Sequence, residues 1–254
     1  MEKIIEVKNL KKVYGSKGIT YTALDGINLE VEKGEFLGVM GASGAGKTTL
    51  LNILSTIDMQ TSGDVIFKGQ DLKKMNNKNL AKFRRDNIGF IFQDFNLLDN
   101  MTVQDNIALP LALNNVNYKD IEKRVFKISS FFGIDMQLKK YPYQLSGGQK
   151  QRTAAARALI TNPGVIFGDE PTGALDSKSS AELLERLTDM NREFKTTVIM
   201  VTHDAFAASY CKKVIFIKDG KIYARLDKNA TRKEFFKRIL DLIAAAGGSQ
   251  NELF

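Results

Sequence analysis

A chain of 254 residues, 43% hydrophobic and 26% charged, has the composition of an ordinary globular protein with a core to bury. Its net charge of +8 brings nucleic acid or a membrane surface to mind, but the basic residues are dispersed and mixed with acids, the pattern of a solvated surface. One cysteine, Cys211, excludes an internal disulfide and fits a reducing compartment.

The N-terminus, Met1 to Ile5, lacks the basic and apolar regions of a signal peptide, and no stretch reaches the ~18 apolar residues of a spanning helix. The expected location is cytoplasmic, with any membrane role borrowed from a partner. In chain order, Phe36 to Met40 reads as a buried strand, followed by a Gly-rich loop and a helical run from Lys47 to Leu54. Ile88 to Phe92 is a short apolar run. From 118 to 132 the residues Ile121, Val125, Ile128 and Phe132 share one helical face. Val165 to Gly168, Thr197 to Val201 and Val214 to Ile217 read as strands, with helices at 177–191 and 204–210. Cys211, just before the last of these strands, reads as a buried structural thiol. Asp219-Gly220 marks a tight hairpin, and Thr231 with Glu234 marks a capping box before a C-terminal helix at 231–246. That helix is expected to pack on the body, and 247–254 to be a frayed tail. Strand–helix alternation predicts an α/β architecture with a mostly parallel sheet wrapped by helices. Residues 94–158 break the rhythm and read as a nearly all-helical insertion.

Gly41-Ala42-Ser43-Gly44-Ala45-Gly46-Lys47-Thr48 fits G-x-x-x-x-G-K-[ST] between a strand and a helix. Its backbone N–H groups and the helix N-terminus suit phosphates, Lys47 suits the β- and γ-phosphates, and the Thr48 hydroxyl suits Mg²⁺. Two carboxylates, Asp169 and Glu170, end the apolar run Val165 to Gly168, an expensive arrangement unless a metal or a reaction uses them. Asp169 is then the candidate Mg²⁺ ligand and Glu170 the candidate general base for an attacking water. The only histidine, His203, follows the strand Thr197 to Val201. A solitary histidine is more often structural, but this one leaves the sheet edge where ligands of such sheets collect, and is expected to contact the γ-phosphate.

Leu145-Ser146-Gly147-Gly148-Gln149-Lys150-Gln151-Arg152 offers a second anion site, because Ser146 and the Gly147-Gly148 N–H groups open a helix. This octet resembles the signature of the ABC (ATP-binding cassette) ATPases, and the resemblance covers nearly the whole chain. It implies a P-loop NTPase fold of RecA-like type, with an antiparallel β subdomain and a helical subdomain inserted at about 94–158, all in one nucleotide-binding domain over 1–246. It also implies ATP and Mg²⁺ as cofactors, with Tyr14 stacking on adenine, residues Gly41 to Thr48 and Thr49 binding phosphates, and Gln93 touching Mg²⁺ and the attacking water. Gly173 to Asp176 resembles the loop that signals across a dimer interface, Asp176 included. Ser146, Gly147, Gly148 and Gln149 are expected to serve the ATP of a second copy.

Within that superfamily the chain resembles the branch serving FtsX-type permeases, which includes lipoprotein-release and macrolide-export ATPases. Leu54 to Asp58, Gly89 to Leu98, Met200 to Asp204, Ala207 to Cys211 and Phe216 to Gly220 are similar to the bacitracin-type (BceA-like) group. Gly168 stands where that pattern usually has Ala. The resemblance implies an ATPase at the cytoplasmic face of the membrane, held there by a permease and linked through it to a sensor histidine kinase, in resistance to antimicrobial peptides or their export. Phe95, Leu97 and Leu98 are either the groove for a permease helix or core. The competing reading is a non-transport relative, a cell-division regulator or a nucleic-acid-linked ATPase. A single cassette without a long coiled coil speaks against nucleic acid as a partner.

Overall fold

In the computed structural model, which describes residues 2–16 and 18–246, the chain opens with two long antiparallel strands, β1 (Lys3–Ser16) and β2 (Ile19–Glu32). β3 (Phe36–Met40) and α1 (Lys47–Leu54) follow, then β4 (Ser62–Phe67), β5 (Gln70–Asp71) and α2 (Asn77–Asn87). β6 (Ile88–Ile91) leads into α3 (Val103–Ala112), α4 (Tyr118–Phe131) and α5 (Gly147–Leu159). The chain then runs through β7 (Val165–Asp169), α6 (Ser177–Phe194), β8 (Thr197–Val201), α7 (Ala205–Ala208), β9 (Lys213–Lys218), β10 (Lys221–Asp227) and α8 (Arg232–Ala245). The tail expected at 247–254 lies outside the described residues.

The strands form two sheets, one in the order β2-β1-β4-β5 and one in the order β10-β9-β3-β8-β7-β6. In the second sheet every neighbouring pair from β9 to β6 is parallel and only β10 is antiparallel, the mostly parallel sheet that the alternation predicts. Side chains alternate across a strand, and here both faces are covered. Leu37, Val39, Val165, Phe167, Ile199 and Val201 pack with α1 and the antiparallel sheet. Phe36, Met40, Ile166, Val198 and Met200 pack with the helices of the opposite face. Strands buried on both faces read as continuous apolar runs, which is why β3, β7, β8 and β9 stand where the sequence places them.

The Asp219-Gly220 turn joins β9 to β10 with both residues at positive φ, 50° and 72°, the backbone that a two-residue hairpin with right-handed twist needs. Cys211 is fully buried, with its sulfur against Gly38, and burial pushes the thiol pKa far up. The inserted stretch is less helical than expected. Residues 94–102 are irregular, because Phe95 and Asn96 adopt positive φ (62° and 48°), which no right-handed helix accommodates. Between α4 and α5 there are only turns and two short 3₁₀ segments. α6 runs three residues past its expected end at 191, while the helix expected at 204–210 shrinks to the single turn of α7.

The capping box of α8 is present: Thr231 Oγ1 accepts from the Glu234 N–H and the Glu234 carboxylate accepts from the Thr231 N–H. Phe235 and Ile239 anchor this helix in the core with no exposed surface. Phe235→Ala should therefore cost about 3–5 kcal/mol of unfolding free energy, the usual loss for emptying a buried phenylalanine site. Urea titration of the variant checks this, and a loss below about 1 kcal/mol would mean that α8 is only loosely docked.

Candidate functional site

Three strand ends converge to build the site. β3 runs into the glycine-rich loop, β7 ends at Asp169, and β8 leads to His203. Gly41 has φ 151° and Gly46, the N-cap of α1, has φ 104°. A Cβ on Gly41 would sit 2.2 Å from Ile217 O, and one on Gly46 would sit 2.5 Å from Ala23 O. Glycine is therefore required at both positions by backbone angle and by space. Lys47 is buried, and its ammonium donates to the carbonyls of Gly41 (2.8 Å) and Ala42 (2.9 Å), which holds the cation at the centre of the loop.

Thr48 and Asp169 meet through a side-chain hydrogen bond. Burial, followed by the neighbouring Glu170 charge, raises the Asp169 pKa, and the Thr48 hydrogen bond and Lys47 oppose that rise. A hydroxyl and a carboxylate side by side are hard oxygen donors of the kind Mg²⁺ takes when phosphates supply further ligands. Among the described residues no group of three or more His, Cys, Asp or Glu could hold a metal by itself. Glu170 adopts φ 45°, and its carboxylate lies 3.1 Å from His203 Nδ1. The ladder carries on past the strands: the Glu170 N–H donates to Val201 O at 3.0 Å and the Thr202 N–H to Val39 O at 3.1 Å. Gly41 to Ser43, Lys47, Glu170 and His203 line one cleft of about 720 Å³.

Gln93 is exposed and rests on the turn after Glu170, since a Cβ on Gly173 would lie 3.1 Å from its Cδ and Nε2. Tyr14 is placed by a bond from its hydroxyl to Asp58 Oδ2 (2.7 Å) and by a hydrogen bond to Thr49 on α1. The Lys12 ammonium lies 4.6 Å from the centre of its ring. Ser146 and Gln149 form a capping box at the start of α5. A Cβ on Gly147 would lie 3.5 Å from Leu175 and 3.9 Å from Phe95, and one on Gly148 2.9 Å from Ser179 Oγ, so the helix start stands beside the loop of Asp176. Asp176 itself caps α6, accepting from the Ser179 N–H and hydroxyl.

Periodicity and motif spacing do not reveal two sets of site neighbours. Tyr21, which pairs with Tyr14 across β1 and β2, donates to Gly44 O at 3.0 Å. Phe236, Leu240 and Ile243 of α8 wall the cleft that holds Glu170. Their only sequence signal is an amphipathic face, the same as for any helix that packs on a core. Phe95 and Leu97 are half-buried and Leu98 is exposed, so the three expected at a docking groove are not core.

A family model described as "ABC transporter" matches residues 24–173. The bacitracin export ATP-binding protein BceA of Halalkalibacterium halodurans is 49% identical over 98% of this chain and 99% of its own length. The ABC transporter ATP-binding protein YxdL of Bacillus subtilis is 46% identical over 100% of this chain and 98% of its own. Among solved structures, a dimeric post-hydrolysis state of the ATP-binding cassette MJ0796 bound to ADP and Pi superposes with a TM-score of 0.82. It is 36% identical and covers 89% of this chain and 99% of its own.

Asp58 is testable through pH. Burial works to raise its pKa, yet hydrogen bonds from Lys12 and Tyr14 hold the carboxyl below the ordinary range. A carboxyl lowered in the folded state adds stability above its unfolded pKa of about 3.9, and that stability is lost as pH falls through the folded value. Asp58→Asn should thus lower the thermal midpoint at pH 7, by an amount that shrinks toward pH 3. It should also raise the ATP KM several-fold, the scale of one lost hydrogen bond of about 1 kcal/mol. Unchanged melting and KM at pH 7 would leave Tyr14 without this anchor.

Proposed function

Because the chain belongs to the ABC transporter family of ATP-binding proteins and is an ATPase, converting ATP and water to ADP and phosphate, we propose that it is the motor of an antimicrobial-peptide transporter. Its substrates are of the bacitracin or lantibiotic kind, and it powers a separate FtsX-type permease. The reading rests on one convergence. The phosphate loop, the Thr48–Asp169 pair and the Glu170–His203 pair meet at one sheet edge, in a chain similar along its length to a bacitracin exporter's ATP-binding protein.

The phosphates of ATP lie in the loop from Gly41 to Thr48, with Lys47 at the β- and γ-phosphates and adenine on Tyr14. Thr48, Asp169 and Gln93 would hold Mg²⁺, which supplies charge neutralisation at the phosphate oxygens. Glu170 takes a proton from the water that bonds to the γ-phosphorus as the bond to the ADP oxygen breaks, a contribution of typically about 10²–10⁴-fold. His203, 3.1 Å from Glu170, holds that carboxylate and reaches the γ-phosphate. Ser146 with the N–H groups of Gly147 and Gly148 grips the γ-phosphate bound to a second copy, and Gln149 supports Ser146. Each site is then complete only in a head-to-tail dimer, with the loop of Asp176 signalling between the copies.

No helix of the described residues is long and apolar enough to cross a membrane, and the permease carries the chain to the cytoplasmic face. A sensor histidine kinase joins through that permease. Phe95, Leu97 and Leu98 receive a cytoplasmic helix of the permease.

Glu170→Gln should bind ATP, lose at least about 100-fold in kcat and accumulate as an ATP-loaded dimer by light scattering; wild-type turnover would remove Glu170 from the base role. Charging Phe95, Leu97 and Leu98 together should abolish copurification with the coexpressed permease while ATPase activity of the free chain stays within about twofold, since none of the three is a buried core residue. Retained copurification would move the docking site elsewhere.

A further inference from the structure

Gln151 lies within α5, the helix that Ser146 opens, and its side chain is fully buried. Its amide Nε2 donates to two carbonyls from two different loops, Phe92 O at 3.0 Å and Pro171 O at 2.6 Å. Phe92 immediately precedes Gln93, and Pro171 immediately follows Glu170. A primary amide has two N–H groups, and both are used on these carbonyls. Turning the amide over would aim its oxygen at two acceptors, so the donors fix its orientation. Its Oε1 is left buried with no hydrogen-bond partner among the described residues. An apolar side chain of similar size would fill the same space without that orphaned acceptor, whose burial costs about 1–3 kcal/mol. What the amide alone can do is hold two loops at once.

Neighbouring contacts join the same elements. Arg157, further along α5, donates through its guanidinium to the carbonyls of Phe95 and Asn96, the two residues at positive φ just after Gln93. Across the gap, the Gln93 side chain rests on Gly173, whose N–H donates to Glu170 O at 2.9 Å. The helix, the loop of Gln93 and the turn of Glu170 thus form one hydrogen-bonded unit with Gln151 at its centre.

We propose that Gln151 is a positioning residue that keeps the Gln93 and Glu170 loops in register with the start of α5. The inference rests on the reading of Glu170 and Gln93 given above, and deepens it. The first turn of α5 serves the ATP of the second copy, while Gln151 on the same helix holds the catalytic loops of its own chain. A shift of α5 when the partner's nucleotide binds or leaves is therefore felt directly at this chain's own hydrolytic site.

Gln151→Met keeps the volume and removes both donors. In the full chain it should keep ATP binding within about twofold by equilibrium titration and lose tenfold or more in kcat, about 1.4 kcal/mol of barrier. Hydrogen exchange should quicken at residues 91–96 and 169–173 together, with the rest of α5 unchanged. Wild-type kcat, or equal losses of ATP binding and kcat, would overturn the proposal, as would quickened exchange along all of α5. If Gln151→Met does not fold, Gln151→Glu is measured in its place against the same outcomes, and failure of both to fold assigns Gln151 to folding and overturns the positioning role. Glu170→Gln run alongside separates the two readings. If it turns over normally the general-base reading fails, whereas a dead Glu170→Gln beside a fully active Gln151→Met refutes the positioning role alone.

Discussion

The in-register parallel pairing of β3, β8 and β7 is the constraint on which the rest of the molecule depends. Val39 pairs with Val201, and Val201 with Asp169, so three strands end at a common level and deliver their loops to one edge. The two hydrogen bonds beyond the strands, Glu170 N–H to Val201 O and Thr202 N–H to Val39 O, carry the same register into the site. A slip of one residue would turn every side chain to the other face. Here both faces are buried, with Val165 and Phe167 in one core and Ile166 in the other, so the pairing resists slippage and the site inherits its precision from the cores.

Around that rigid edge the backbone is held in uncommon conformations where the chemistry is expected. Glu170 at φ 45° and Phe95 at φ 62° each carry a conformational cost of order 1–3 kcal/mol, which persists only where neighbours over-determine it. At Glu170 the neighbours are the Val201 carbonyl and the Gly173 N–H; at Phe95 they are the guanidinium of Arg157 and the first turn of α5. The second region is less buried than the first.

The antiparallel sheet has a different task, which is to hold an aromatic ring above α1. Tyr14 is anchored at its hydroxyl by Asp58 and Thr49 and flanked by the Lys12 ammonium. Asp58 belongs to the stretch Leu54 to Asp58, which resembles the bacitracin-type group as a pattern of letters; the structure gives one of those letters a physical role. Gly168, where that pattern usually has Ala, is similarly explained. A Cβ there would meet Pro171 at 3.4 Å, so the missing methyl removes ordinary packing and no more.

Apolar runs and glycine spacing were enough to predict the parallel sheet and the loop that follows β3. Strands buried on both faces must be continuous apolar runs, and the spacing of Gly41, Gly44 and Gly46 before Lys47 marks the loop by motif alone. Caps such as Thr231 with Glu234 were legible for the same reason, since their partners lie within one turn. The long strands β1 and β2 were not legible, because register shifts between Val7 and Leu10 and between Lys12 and Val13 break the period of two on which a strand pattern depends. Nor was the irregular course of 94–102, which follows from an arginine 62 residues away along the chain. The contacts of Asp58, Tyr21 and Gln151 were likewise decided only in three dimensions. Each joins residues 20 or more positions apart, and a hydrogen bond needs an acceptor within about 3 Å, a condition that only the packed fold can meet.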